Sequence, residues 1–491
     1  MNTTAKLELS VLAAAFALGI LGDALLRCFP WGVNFALWAC LLAAAIFFLG
    51  RERLQAFTPG GWWLLLPVVL SPLAFLWHES PVLKGLNMLA LLTALSLAML
   101  RAQGVRLWAS SLMKYALGSL IAGVNTAFGI FPLIFGNPEW KKSPGGGSRS
   151  GAAVLRGAAF SLLPLVIFGP LLMAADAVFE NLIHRILHFD FTHLVVTAFM
   201  TGCVGGYLRG LLFGKDLKPG AQGRSRSISL GAIEMGVMLG LLDLLFLAFV
   251  AVQVRYFFGG SALVHATTGL TYAEYARSGF FELLVVAALL LPFLLMVHWL
   301  LRPDDARGQR LFQCLAGAQI ALLFVIMASA FERMRLYQAE YGLSEQRLYP
   351  TAFMGWLAVV FVWFCLTVLR GHREQFAFGA MVAGFLLVAA LQVLNPDALI
   401  ARTNMARSRA GHTFDACYLS ELSADAAPEI VAGLPSLNPV DRRKLAKAML
   451  ESWTPPAKPD WRSWTLSRAR AWQAVSANMP TLRAACAETK R

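Results

Sequence analysis

A chain of 491 residues that is 58% hydrophobic and only 14% charged lacks the polar surface of a water-soluble protein of this length, which carries about 25% charged residues. Its apolar runs extend about 18–25 residues without the period-two alternation of barrel strands, which excludes a transmembrane β-barrel. The net charge of +14 resides in loops and tail, where it fits attraction to anionic lipid and calls for no nucleic-acid partner. The expected fold class is all-α, a polytopic transmembrane helix bundle of about 11 spans with a small helical C-terminal extramembrane tail.

Read in chain order, apolar segments occupy roughly 9–29, 32–50, 61–78, 82–100, 157–178, 191–213, 235–258, 279–301, 311–331, 348–369 and 376–394. The first run continues to Phe29 with no small-x-small cleavage site, so an uncleaved first helix is expected. It carries Asp23 one turn before Arg27, a local ion pair near its end. Residues 107–136 are apolar but flanked on both sides by Lys and Arg, which favours an interfacial or re-entrant hairpin over a crossing. Gly145–Gly147 mark a flexible linker.

Asp176, Glu180, His184 and His188 recur every four residues at the end of the fifth segment. His at i and i+4 can share a metal ion, so His184 and His188 are candidate ligands. The stripe drifts around the helix, and a solvated helix end is the plainer reading; no cofactor is expected. Gly202, Gly206 and Gly210, with Gly236 and Gly240 in the next span, let backbones approach closely. They serve either helix packing within the chain or a homo-oligomer. Asp243 lies mid-span in LLDLLF with no local cation. An intramembrane acid is a functional candidate by default; the competing reading is a neutral hydrogen-bonded side chain.

Six of the nine tyrosines fall between 256 and 349, in two stretches at the same ends of spans. The candidate site there comprises Tyr256, Tyr272, Glu274, Tyr275, Arg277, Glu282, Glu332, Arg333, Arg335, Tyr337, Tyr341 and Arg347. Arginines can hold an anion or a lipid headgroup bidentately. Alternatively, the tyrosines form an interface belt and the ion pairs tie loops together. The segments VRYFFGG, TYAEYARSGFFEL, RLYxxEYGLSEQR, NPDALIARTN and YLSELSADAAPEI, in that order over roughly 150–435, resemble bacterial multi-pass membrane proteins. The resemblance is to domain of unknown function forty-one seventy-three or its relative forty-one fifty-three. It implies a bacterial inner-membrane protein and no assigned activity. The N-terminal four-helix portion and the last 50 or so residues lie outside those motifs.

The tail after Asn395 is polar and helix-prone. Asn438-Pro439 reads as an N-cap and first helical residue, opening a helix to about Trp453. A second helix is expected from near Asp460, carrying Trp461, Trp464 and Trp472. Its tryptophans are either buried in a small domain or laid at headgroup level. Cys417 and Cys486 are disulfide candidates if the tail is extracytoplasmic.

The expected organisation is thus 1–106 as a four-helix membrane portion, 107–152 as the interfacial segment and linker, 153–396 as a core of about seven spans, and 397–491 as the tail. With the N-terminus inside, short inner segments hold 20 of the 42 Lys and Arg, short outer ones eight and the tail 14, an inside bias that sets the tail outside. No phosphate loop, HExxH, GxSxG, kinase or Rossmann pattern occurs. The residues favour a binding, sensing or envelope-scaffold protein, with membrane lipid and a protein on the tail as partners. A transporter or lipid-handling protein with Asp243 in the path is the alternative. An enzyme acting on a lipid-linked substrate is a weaker one.

Overall fold

A computed structural model describes residues 3–50, 65–102, 105, 107–110, 112–128, 130, 191–213, 232–268, 280–301, 305–412 and 414–487. The described residues are helical and contain no strand. The first group of helices is α1 (Thr3–Leu26), α2 (Val33–Gly50), α3 (Leu65–Trp77), α4 (Pro81–Ala102), α5 (Leu112–Phe128) and α6 (Phe191–Phe213). The second group is α7 (Ala232–Thr268), α8 (Phe280–Leu300), α9 (Ala306–Tyr341), α10 (Glu345–Thr367) and α11 (Phe376–Leu394). Shorter polar helices follow: α12 (Pro396–Arg409), α13 (Ala416–Ser420), α14 (Ala427–Gly433), α15 (Pro439–Trp453), α16 (Leu466–Ala477) and α17 (Met479–Ala487).

Eight helices among the described residues are long and apolar enough to cross a membrane, and two shorter apolar ones, Leu66–Trp77 and Met235–Ala251, stand beside them. The chain is therefore a membrane-embedded helical protein. Of the eleven expected spans, eight are found at full length among the described residues; the expected spans at 61–78 and 235–258 are described only in part, and 157–178 lies outside the described residues. α9, at 36 residues, is about 54 Å long at 1.5 Å per residue, well beyond the ~30 Å hydrocarbon core. Its last turns, with Glu332, Arg335, Tyr337 and Tyr341, stand clear of the apolar layer.

Two packed cores organise the spans. Val11, Ala15, Ile46, Met99, Leu208 and Leu211 join α1, α2, α4 and α6. Leu294, Phe312, Leu323, Val360, Phe361 and Phe364 join α8, α9 and α10. Between such helices lipid is as apolar as the side chains, so close backbone approach matters more than apolar area. Gly206 shows this: a Cβ there would collide with the Asn125 and Thr126 carbonyls of α5, and one at Gly210 with Met99 and Asn125. The glycine stripe thus seats α5 against α6 within the chain. α5 rises from Leu107 beside α4 and α6, placing Ala122 and Ile130 in the core with Ala15; residues 131–136 lie outside the described set.

The tail forms a helical cap with a third core. Ile400, Ile430, Leu445, Ala446, Ala471 and Val475 are fully buried, and Leu83, Leu348 and Leu391 from the ends of α4, α10 and α11 pack into the same cluster. In a water-facing unit each fully buried Leu, Ile or Val is worth about 1.5–3 kcal/mol, so the cap is held by burial as well as by polar contacts. The span turns into the cap at Asn395, whose left-handed backbone (φ 49°) ends α11 while its side chain caps α12 before Pro396. Asn438 caps α15 as the sequence predicts, accepting from the Asp441 amide at 2.9 Å. The next helix begins later than predicted. Asp460 opens only a single 3-10 turn, and Thr465 caps α16, accepting from the Arg468 amide at 3.2 Å. Trp461 and Trp464 consequently lie off the helix and are 60% and 39% exposed. Cys417 and Cys486 are free thiols.

Candidate functional site at the cap face

The turns α1–α2, α3–α4 and α9–α10 and the end of α11 all meet the cap, so these ends define one face of the bundle. The α3–α4 turn reads Trp77-His78-Glu79-Ser80-Pro81. Proline can open α4 because its missing N–H would have no helical partner there, and His78 and Glu79 ahead of it reach into the cap.

His78, 2% exposed, places Nδ1 2.6 Å from Asp425 Oδ1 and Nε2 2.9 Å from the Gln392 carbonyl. Both ring nitrogens face acceptors, an arrangement that the imidazolium satisfies with two donated bonds. The Asp425 side chain is fully buried. Its Oδ2 accepts from the Glu79 and Ser80 amides at 2.7 and 3.1 Å and from Ser423 Oγ at 3.1 Å, while Oδ1 also accepts from Ser467 Oγ. Burial alone would raise its pKa. The hydrogen bond and charge of His78, the Ser467 hydroxyl and the Glu79 amide outweigh burial and hold the carboxyl below the usual carboxylate range.

Glu79 reaches the other way. It accepts from Thr465 Oγ1 at 2.9 Å and Arg468 at 2.6 Å, and pairs with Lys84 at 3.2 Å. Lys84 also donates to the Trp31 carbonyl at 2.9 Å, so the α1–α2 turn joins the same network. On the far side Asp397, 1% exposed, lies 2.5 Å from Ser423 Oγ, with the Glu345 carboxyl beside it. Burial pushes Asp397 above the usual carboxylate range, against the Ser423 hydrogen bond. Ser423 Oγ donates to Asp397 Oδ2 and lies 3.1 Å from Asp425 Oδ2, so the hydroxyl bridges the two carboxyls. Four carboxyls, Glu79, Asp425, Asp397 and Glu345, thus share the cluster with His78, Lys84 and Arg468.

Two more staples flank it. Arg462 grips Asp460 at 2.7 Å and donates to the Ala24 carbonyl at 3.1 Å, while the Cys28 thiol donates to Asp460 at 3.2 Å. Arg462 holds the Asp460 carboxyl below its usual range. On the other flank Asn404 exchanges two 2.8 Å bonds with the Leu343 backbone, and Arg407 donates to the Ala339 and Glu340 carbonyls. Gly342 (φ 77°) is required between them, since a Cβ would meet Asn404 Oδ1. The Tyr418 hydroxyl, pushed up to about 12 by burial, accepts from the Glu345 amide at 2.8 Å.

The predicted Tyr/Arg/Glu cluster is only partly described. Glu332 pairs with Arg335 at 3.3 Å, exposed, and Arg333 lies on the same turn of α9. Arg347 stacks over Tyr337 and Tyr341 at 4.3 and 5.8 Å and donates to the Tyr341 and Gly342 carbonyls. That arginine clasps its own turn. Tyr272, Glu274, Tyr275, Arg277, His184 and His188 lie outside the described residues, as do the side chains of Tyr256 and Glu282. Asp23 pairs with Arg27 at 3.8 Å and meets His193 at 2.6 Å. Both carboxylate oxygens of Asp243 are shielded without a hydrogen-bond partner among the described residues. So are both polar atoms of Gln319 on α9. Gly236 packs on Leu311 near the starts of α7 and α9, a register that brings Asp243 to about the level of Gln319.

The profile of a family described as domain of unknown function (DUF4153) matches residues 65–433, well over half of the chain. This chain belongs to that family. It is the second of the two families the sequence resembles, and its match begins at residue 65 rather than near 150, bringing α3 and α4 inside it. No curated protein and no solved structure matches the chain. The DUF4153 region contains His78, Glu79, Asp397 and Asp425, whereas Thr465, Ser467 and Arg468 lie beyond it. The buried network therefore joins the family region to the chain that follows it. Sequence reasoning missed its centre because His78-Glu79 reads as an ordinary polar turn between spans. Asp397 and Asp425 stood inside two quoted motifs, NPDAL and SELSAD, but without visible partners.

Proposed function

We propose that this DUF4153 member is a binding or envelope-scaffold protein of the bacterial inner membrane, with the N-terminus cytoplasmic and the cap extracytoplasmic. The Lys/Arg distribution of the loops supports this orientation. The observation that carries the function is that His78, Glu79 and Asp425 beneath the cap are each bonded across the joint between spans and cap. His78 has both nitrogens bonded, Asp425 is surrounded by donors, and Ser467 Oγ faces two acceptors, Asp425 and the Trp77 carbonyl. Such a network fixes a surface in place and offers no free base or nucleophile to a substrate. A photo-crosslinker at Val440, exposed on α15, tests this in cells. The expected result is one discrete protein adduct that disappears when Asp425→Asn loosens the cap. Absence of any adduct from Val440 and neighbouring exposed cap positions overturns the scaffold reading.

The unpartnered Asp243 beside the level of Gln319 favours transport as a second reading, since a carboxylate in a span needs an ion, a proton or a wet path. Under it, Asp243→Asn abolishes flux in proteoliposomes while folding is kept; unchanged flux removes Asp243 from any path.

A further inference from the structure

α11 buries less of itself than the other long spans, and its exposed residues are not scattered. Leu386, Ala389, Ala390, Val393 and Leu394 are all exposed, at the spacing of a single helical face. At one end this stripe enters an apolar groove of about 540 Å³ between α10 and α11, walled by Val359, Val362, Leu366, Val382 and Leu386. At the other it reaches Val393, 78% exposed, on the lip of a cavity of about 320 Å³. Leu386 to Val393 spans seven residues, about 10 Å, which fits inside one leaflet of ~15 Å, half the hydrocarbon core.

The cavity has a different character from the stripe. Arg402, Arg470, Glu429, Asp425 and Ser467 line it. Arg402 pairs with Glu429 at 2.6 Å and stays 67% exposed. Arg470 is exposed and has no ion-pair partner among the described residues. α12 and α16 both begin at this wall, and the positive ends of their dipoles, capped by Asn395 and Thr465, face it. Asp425 behind them is buried, with its oxygens bonded to His78, the Glu79 and Ser80 amides, Ser423 and Ser467. A cavity that presents Arg470 beside Arg402, and whose lip continues as a lipid-facing apolar stripe, matches one ligand chemistry, a phosphate joined to an acyl chain.

We propose that this cavity and stripe hold a membrane phospholipid, its phosphate on Arg470 and Arg402 and one acyl chain along α11 towards the α10–α11 groove. A lipid here is independent of any protein on the cap, so the crosslinking and lipid results separate cleanly.

The full chain in mild detergent is titrated with phosphatidylglycerol, phosphatidylethanolamine, the matching diacylglycerol and inorganic phosphate, with bound species read by native mass spectrometry. The expected result is one saturable phospholipid, bound at least 10-fold tighter than diacylglycerol. Arg402→Gln with Arg470→Gln should weaken it about 10-fold, and Val393→Asp should do so separately while both arginines remain. Limited proteolysis of each variant reports that the cap stays docked. Preference between the two phospholipids identifies the headgroup, and either preference supports the site. Equal binding of diacylglycerol, unchanged binding in both variants, or inorganic phosphate displacing the lipid at equal concentration would each overturn the proposal; the last would mean a soluble-anion site.

Discussion

Two acids of this molecule, the buried Asp425 under the cap and the half-buried Asp243 in the span α7, have opposite surroundings. Asp425 receives an imidazole, two backbone amides and two hydroxyls within hydrogen-bonding reach, drawn from three separate stretches of chain. Asp243 receives none from the described residues. The first acid is an assembly device, because no one stretch of sequence satisfies it and the cap must close for its bonds to form. The second adds nothing visible to assembly, so any reason for its presence lies in what it does. A buried charge with all its partners argues for structure, and one without them argues for function.

The largest effect expected from this contrast follows Asp425→Asn. An amide keeps the size but removes the charge on which the His78, Glu79, Ser80, Ser423 and Ser467 contacts converge. Breaking a buried pair from one side costs about 3–5 kcal/mol. Limited proteolysis should release the cap, and thermal unfolding of the purified chain should begin at lower temperature. A variant with native proteolysis and unfolding would show that the network does not hold the cap.

A smaller effect separates Asp425 from Asp397 within the same network, through their opposite shifts. Asp425 is held below its unfolded value, so its contribution is present above pH ~4 and is lost as pH falls through the folded value. Asp397 is raised. Its contribution is present below pH ~4 and is lost as pH rises through its folded value, leaving a penalty above that. Asp397→Asn removes this penalty while still accepting from Ser423. Its unfolding temperature at pH 7–8 should match or exceed that of the parent, with a flatter profile above pH 4. A destabilised Asp397→Asn chain would show that Asp397 is held as a carboxylate.

How much of this was readable beforehand depends on the range over which the residues act. The spans were legible because a bilayer demands about 20 apolar residues in a row, a wholly local signal. The cap Asn438 was local too, with a proline following it. The α16 start was missed by five residues because Asp460 caps only a single 3-10 turn, and the true cap, Thr465, is fixed by its bond to Glu79, 386 residues away in sequence. The Tyr/Arg/Glu cluster is described only in part, and its described members act over short range. Tyr, Arg and Glu clustered in sequence were conspicuous, yet Arg347 serves its own turn. The network proper is assembled from positions near 79, 397, 425 and 467 that no window contains.

Asp243→Asn should have the smallest effect on stability, and it tests the other half of the comparison. No bond among the described residues is lost, and an amide in hydrocarbon avoids the cost of a carboxylate there, which reaches about 2.5–3.5 kcal/mol on insertion scales at a helix centre. Unfolding of the variant should therefore stay within about 0.5 kcal/mol of the parent or move upward. Gln319→Leu, on the neighbouring helix at about the same depth, should behave alike, because its amide is also unpartnered. If Asp243→Asn instead destabilises as much as Asp425→Asn, the acid has a cationic partner in the folded chain. Asp243 would then be a structural ion pair like those under the cap, and the case for transport would go with it.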